Sequence, residues 1–124
     1  MPVDKTGRPF EVGVEWRGDL VTLEFLGELD LWGRDEAAAA LAQAIAAAPR
    51  VIVVNLQGLS FMGSTGLRCL LEAKLLADAA GAHMAIVNGS GPPHRLLELT
   101  RVDQVIEMVD DPAQLDLQAR AWPA

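Results

Sequence analysis

The stretch over residues 51–71, VIVVNLQGLSFMGSTGLRCLL, constrains the fold more than any other part of the chain. It opens on four apolar, β-branched residues, Val51 to Val54. Such a run suits a strand buried on both faces, as in the parallel sheet of an α/β protein. A turn-prone segment follows, and a helical pattern then begins at Ser64. The spacing therefore predicts a strand over 51–56, a loop over 58–63 and a helix from 64 to about 80. Gly63 and Gly66 bracket the pair Ser64-Thr65 and allow a sharp bend with a close-approaching surface. Ser64 then has two readings. Its hydroxyl can cap the helix, worth roughly 1 kcal/mol. Alternatively it is a hydroxyl offered at the positive end of a helix, where a phosphate meets free N–H groups and a favourable dipole.

The flanking chain fits around that unit. Residues 1–9 are polar and read as a tail. Val12, Val14 and Trp16 alternate with Gly13, Glu15 and Arg17, which predicts a half-buried strand. Gly18-Asp19 is a turn signal, and Val21, Leu23 and Phe25 predict the second strand of a hairpin, closed by Gly27-Glu28-Leu29-Asp30. A helix is expected from about 32 to 48, turning Ala37, Leu41, Ala44, Ile45 and Ala48 inward until Pro49 ends it. In the helix from 64, the expected buried stripe is Leu67, Leu70, Leu71 and Leu75, with Gly81 as the stop. Residues 84–87 read as a strand and 88–93 as a loop. A helix over 93–100 has Leu96, Leu97 and Thr100 on one side, and 105–109 is a short edge strand. Asp110-Asp111-Pro112 opens a last helix with Leu115, Ala119 and Trp122 as its stripe.

The pattern is α/β: a single domain over 10–118, with a mixed β-sheet flanked by about four α-helices. Residues 1–9 form a flexible tail, and 119–124 are the end of the last helix and the C-terminal tail. Functional groups in such sheets gather beyond the carboxyl ends of strands, which would bring the 58–63 and 88–93 loops near each other.

Composition narrows the function. With 124 residues, 51% of them hydrophobic, the chain can bury a core without disulfides or metals. Lys plus Arg total 10 against 17 Asp plus Glu, a formal net charge of −7. That balance argues against direct nucleic-acid binding. No apolar run is long enough for membrane insertion, and the start lacks the apolar core of a signal peptide, so a cytoplasmic protein is expected. The single Cys69 cannot form an intramolecular disulfide, and its place in a helix predicts a buried thiol. His83 is expected at a surface junction. His94 follows Pro92-Pro93 and is the one base in reach of the Ser64 loop, but no acid is placed to orient it. No His/Cys spacing fits a metal site. Gly89-Ser90-Gly91 lacks the third glycine of a dinucleotide fingerprint, and the Gly63–Gly66 segment lacks the lysine of a P-loop. No catalytic residue, metal or cofactor is expected.

Four segments in order carry a resemblance: Gly27-Glu28-Leu29-Asp30, the strand at 51–56, Leu59-Ser60-Phe61-Met62-Gly63-Ser64-Thr65-Gly66-Leu67, and Leu96-Leu97-Glu98-Leu99-Thr100-Arg101-Val102. Over about residues 10–118 the chain resembles the STAS domain, specifically the anti-sigma factor antagonists of bacterial partner switching. The resemblance implies a protein that binds rather than catalyses. The unphosphorylated form holds an anti-sigma factor, often a serine protein kinase, and so frees a sigma factor. Phosphorylation of a serine at the helix start ends the interaction, and a phosphatase resets it. The matching position is Ser64, with Thr65 as the alternative. Asp30, Met62, Gly63, Ser64, Thr65, Gly66, Leu67 and Asn88 are the expected partner-binding residues. One position departs: the family's usual residue before the serine is Asp, and here it is Gly63. The alternative function is a STAS accessory subunit of a membrane transport or signalling complex, using the same surface without phosphorylation.

Overall fold

A computed structural model describes residues 9–115. The elements are β1 (Glu11–Arg17), β2 (Leu20–Leu29), α1 (Arg34–Ala46), β3 (Val51–Met62), α2 (Ser64–Ala79), β4 (His83–Val87), α3 (Gly91–Leu99) and β5 (Glu107–Val109), with 3₁₀ turns at Val102–Gln104 and Pro112–Gln114. The strands form one sheet in the order β1-β2-β3-β4-β5. β1 runs antiparallel to β2, and the remaining neighbours are parallel. The mixed α/β sheet is therefore as the sequence predicts, with three α-helices among the described residues instead of about four. The expected last helix begins as the turn at Pro112–Gln114, and Ala119 and Trp122 lie outside the described residues.

Strand alternation explains the core. Val21, Leu23 and Phe25 of β2, Ile52, Val54 and Leu56 of β3, and Met84 and Ile86 of β4 meet Ala37, Leu41, Leu70, Ala73 and Ala77 of the helices in one cluster. The residues between them on the strands point the other way. Val51, Val53, Ala85 and Val87 form a second, smaller cluster with Leu20 and Leu115. Both faces of β3 and β4 are thus covered, which is why they read as unbroken apolar runs.

Several expectations change. β1 is an edge strand, and of its apolar residues only Val12 packs against the core. Val14 and Trp16 are 53% and 44% exposed. α1 spans 34–46, and Ala48 is an exposed residue beyond its end, at φ 59°. On α2 the buried residues are Gly66, Cys69, Leu70, Ala73 and Ala77, while Leu71, Leu75 and Leu76 are exposed. Of the expected stripe, Leu70 is buried and Leu67 packs partly on the core, while small side chains take the places on the sheet that Leu71 and Leu75 were expected to fill. On α3 Pro93 and Leu97 are buried, Leu96 is half-buried, and Thr100 is exposed just beyond the helix end. Its hydroxyl donates to the Leu96 carbonyl at 2.7 Å.

The largest change is in β3, which does not stop at Leu56. It continues to Met62, pairing Gly58 with Leu26, Leu59 with Gly27, Phe61 with Glu28 and Met62 with Leu29. Register shifts accompany this extension, and the Ser60 hydroxyl donates to the Gly27 carbonyl at 3.2 Å. A Cβ on Gly58 would displace the end of the Leu26 side chain and crowd the Phe25 carbonyl at 3.2 Å, so glycine eases the passage of the strand. The predicted 58–63 loop is therefore mostly strand.

Candidate functional site

The extension of β3 delivers the chain to Ser64. The Gly63 N–H donates to the Leu29 carbonyl at 3.0 Å, so the chain is still joined to β2 as it enters α2. Gly63 is extended, at φ −94° and ψ −176°, and is itself the N-cap residue. Its carbonyl accepts from Gly66 and Leu67 at 3.0 and 3.2 Å. Ser64 is the first residue inside the helix, and no side chain caps this end. The capping role open to Ser64 from its sequence is therefore corrected: the residue is exposed and its hydroxyl caps no N–H of the helix. Thr65 and Leu67 are half-buried, whereas Met62 and Gly66 are buried.

The helix start is held down by an absent side chain. A Cβ on Gly66 would lie 2.7 Å from Met62 Cγ and 2.9 Å from the Leu29 side chain. Gly63 is different. A Cβ there would meet only the Phe61 ring, at 3.6 Å, in a backbone conformation any residue adopts. The site has room for the Asp that the resemblance leads one to expect there. The first turn of α2 holds no acidic residue. No hydrogen bond among the described residues takes up the N–H of Ser64 or Thr65. The orphan donors of the helix start thus remain available to an added anion.

Asp30 stands at the neighbouring strand end, one residue past the Leu29–Met62 pair. Its Oδ1 accepts from the Trp32 N–H at 3.0 Å and its carbonyl from the Gly33 N–H at 3.2 Å. This tight turn throws Leu31 and Trp32 outward, at 67% and 74% exposure. Phe61, beside Gly63, is 41% exposed. Three large apolar side chains therefore stand exposed on the two segments that flank the start of α2. The sequence reading missed them, taking Trp32 as the start of a helix. The available signal was the bracket Asp30-Leu-Trp-Gly33, in which an Asx turn leaves no room for both bulky residues to face the core.

Other expected residues lie elsewhere. Asn88 accepts nothing from the Ser64 segment. Its N–H donates to the Val109 carbonyl at 2.8 Å and its side-chain amide to Asp110 at 2.9 Å, toward β5. Gly63 is tied to β2, on the opposite side of β3. Asn88 is thus attached to β5 and Gly63 to β2, with β4 pairing β3 as far as Val87 with Asn55 and Gly89 close against the Leu56 carbonyl. His94 lines a different hollow of about 420 Å³, with Asn88, Leu97, Glu98, Arg101, Asp103 and Met108. His83 is half-buried rather than at the surface, its Nε2 2.7 Å from Glu107 Oε1. Cys69 is buried as expected, with Sγ 3.8 Å from the Arg34 carbonyl. Burial, and secondarily the Glu72 charge, push its thiol pKa up. Among the described residues no group of three His, Cys, Asp or Glu could hold a metal ion. Among the same residues no helix is long and apolar enough to cross a membrane.

The STAS domain family matches residues 12–115. An anti-sigma F factor antagonist from Paenibacillus polymyxa is 33% identical over 60 residues, 48% of this chain and 51% of that protein. The chain thus spans about half the length of that relative. An anti-sigma factor antagonist from Mycobacterium paratuberculosis superposes with a TM-score of 0.77 at 22% identity, covering 91% of this chain and 96% of that one. The anti-sigma factor antagonist SpoIIAA in its unphosphorylated form gives 0.75 at 20% identity, over 90% and 99% of the two chains. The phosphorylated form of SpoIIAA, from Bacillus, gives 0.67 at 20% identity, over 89% and 99%. At these identities the superpositions establish the fold.

Proposed function

Because the chain belongs to the STAS domain family, we propose that it is an anti-sigma factor antagonist. It binds an anti-sigma factor that is a serine protein kinase, frees a sigma factor in the cytoplasm, and is switched off by phosphorylation at Ser64. It works by binding and performs no bond chemistry of its own. The observation that carries this reading is the exposed, uncapped Ser64 at the start of α2, beside small residues and between segments that carry exposed apolar side chains. Thr65 is the less accessible neighbour. The similarity to a relative known in unphosphorylated and phosphorylated forms supports the same switch.

The physics of the switch follows from the site. Leu31, Trp32 and Phe61 offer apolar area to a partner, and Gly63 and Gly66 allow close backbone approach. A phosphate adds about −1.5 to −2 charges and three acceptor oxygens. The free amides of the helix start accept that charge, so the fold survives it. The interface does not, since the phosphate must lose water against apolar surface. A penalty of about 3 kcal/mol weakens binding about 100-fold.

Incubation with the cognate kinase and ATP, followed by mass mapping, is expected to place one phosphate on Ser64. Ser64→Ala should bind the anti-sigma factor and resist switching, and Ser64→Glu should bind weakly. Wild-type affinity in both variants would refute Ser64 as the switch. Gly63 in place of Asp favours a second reading, an accessory subunit of a membrane transport or signalling complex. That reading predicts no modification at Ser64 and co-purification with membrane proteins.

A further inference from the structure

The outer edge of β1 is unpaired among the described residues and carries a self-complementary sequence, Glu-Val-Gly-Val-Glu-Trp-Arg. We infer that a second copy of this chain pairs antiparallel with it, β1 against β1, about a two-fold axis at Val14. The inference is independent of the proposed function.

Backbone parity comes first. The hairpin turn has two residues, Gly18-Asp19, with Arg17 opposite Leu20 and Gly18 at φ 61°. In such a hairpin the closing pair exchanges its hydrogen bonds inward, and alternation then directs the N–H and C=O groups of Val12, Val14 and Trp16 outward. These are the unpaired groups that make an edge strand a template. Centring the pair on Val14 sets outward groups against outward groups: Val12 against Trp16, and Val14 against itself.

Side chains then select the register. With Val14 on the axis, Glu11 faces Arg17 of the other copy at both ends, and Glu15 faces Gly13. Sliding the pair by one parity-conserving step in one direction sets Glu11 against Glu15. Sliding it the other way sets Glu15 against Glu15. Like charges directly opposite are destabilising, and opposite charges and aromatic–β-branched pairs are favourable. A register centred on Trp16 also sets Glu15 against Arg17, but it pairs only three residues of each strand. The register on Val14 alone joins opposite charges to apolar matching along all of β1.

The exposed face agrees. Val12, Val14 and Trp16 pair across β2 with Phe25, Leu23 and Val21, so they lie on the helix-covered side of the sheet. Val14 and Trp16 nonetheless stand exposed. The two-fold pairing brings Val14 to Val14 and Trp16 to Val12 on that face. It also satisfies the free backbone edge, and the contact is isologous and closed, as expected of a symmetric dimer.

Sedimentation velocity on the full chain should show a dimer, twice 13.3 kDa, at micromolar concentrations. Arg17→Glu and Glu11→Arg each place like charges at both ends, and each alone should weaken the dimer about tenfold or more. Mixed together, the two variants regain opposite charges in every pair and should sediment as a heterodimer. Circular dichroism and melting curves verify that each variant is folded. A monomeric wild type, a dimer insensitive to both substitutions, or a mixture that stays monomeric would each overturn the inference.

Discussion

Two glycines three residues apart have opposite tolerances. A methyl group on Gly66 has nowhere to go, because Met62 and Leu29 already occupy the space. Gly66→Ala should therefore destabilise the fold by about 1–3 kcal/mol in urea titration, despite alanine's better helix propensity. Gly63→Asp meets no such barrier and supplies the missing acidic cap. It should raise stability by about 0.5 kcal/mol in the same measurement. The reverse ranking of the two would refute the packing at the start of α2. Cys69 supplies a third test. Its thiol pKa is raised by burial, then by Glu72, with Arg34 opposing. The folded state then holds the proton more tightly than the unfolded one, so stability is intact below the ordinary thiol pKa. It is lost as pH rises from that ordinary value toward the raised one. The stability difference between wild type and Cys69→Ala should shrink over that alkaline window and stay constant below it.

Within elements, periodicity identified helices better than it identified their faces. α2 carries leucines at 67, 70, 71, 75 and 76, which surround much of the helix, and alanine or glycine at 66, 73 and 77. The buried side carries Gly66, Cys69, Ala73 and Ala77 around a single buried leucine, Leu70, so close contact with the sheet and α1 leaves little room for bulk. Leu70→Ala should cost about 2–5 kcal/mol, and Leu75→Ala less than about 0.5 kcal/mol. Equal losses would restore the leucine stripe expected from the sequence. The ends of β3 were hidden for a related reason. Gln57, Gly58 and Ser60 look like turn residues, yet Gly58 serves close passage against Leu26 and Ser60 bonds Gly27. Both functions depend on β2, which sequence spacing does not place.

In the whole molecule, both faces of β3 and β4 are covered, and the second cluster rests partly on Leu115 near the end of the described residues. Leu115→Ala should cost about 2 kcal/mol, the low end for a buried leucine, because that cluster is small. No loss in urea titration would show that the second face is covered without it. The residues themselves determined the order of elements, the mixed sheet and the place of Ser64 at a helix start. β-branched runs, alternation, glycine and proline act through local sterics that travel with the chain. Only the tertiary structure decided that Ser64 is uncapped, that Asn88 turns to β5 while Gly63 is held by β2, and that Leu31, Trp32 and Phe61 stand exposed. Those outcomes depend on how far β3 runs beside β2 and on which surfaces α1 and α2 cover. They are contacts between segments distant in sequence, and no local pattern encodes them.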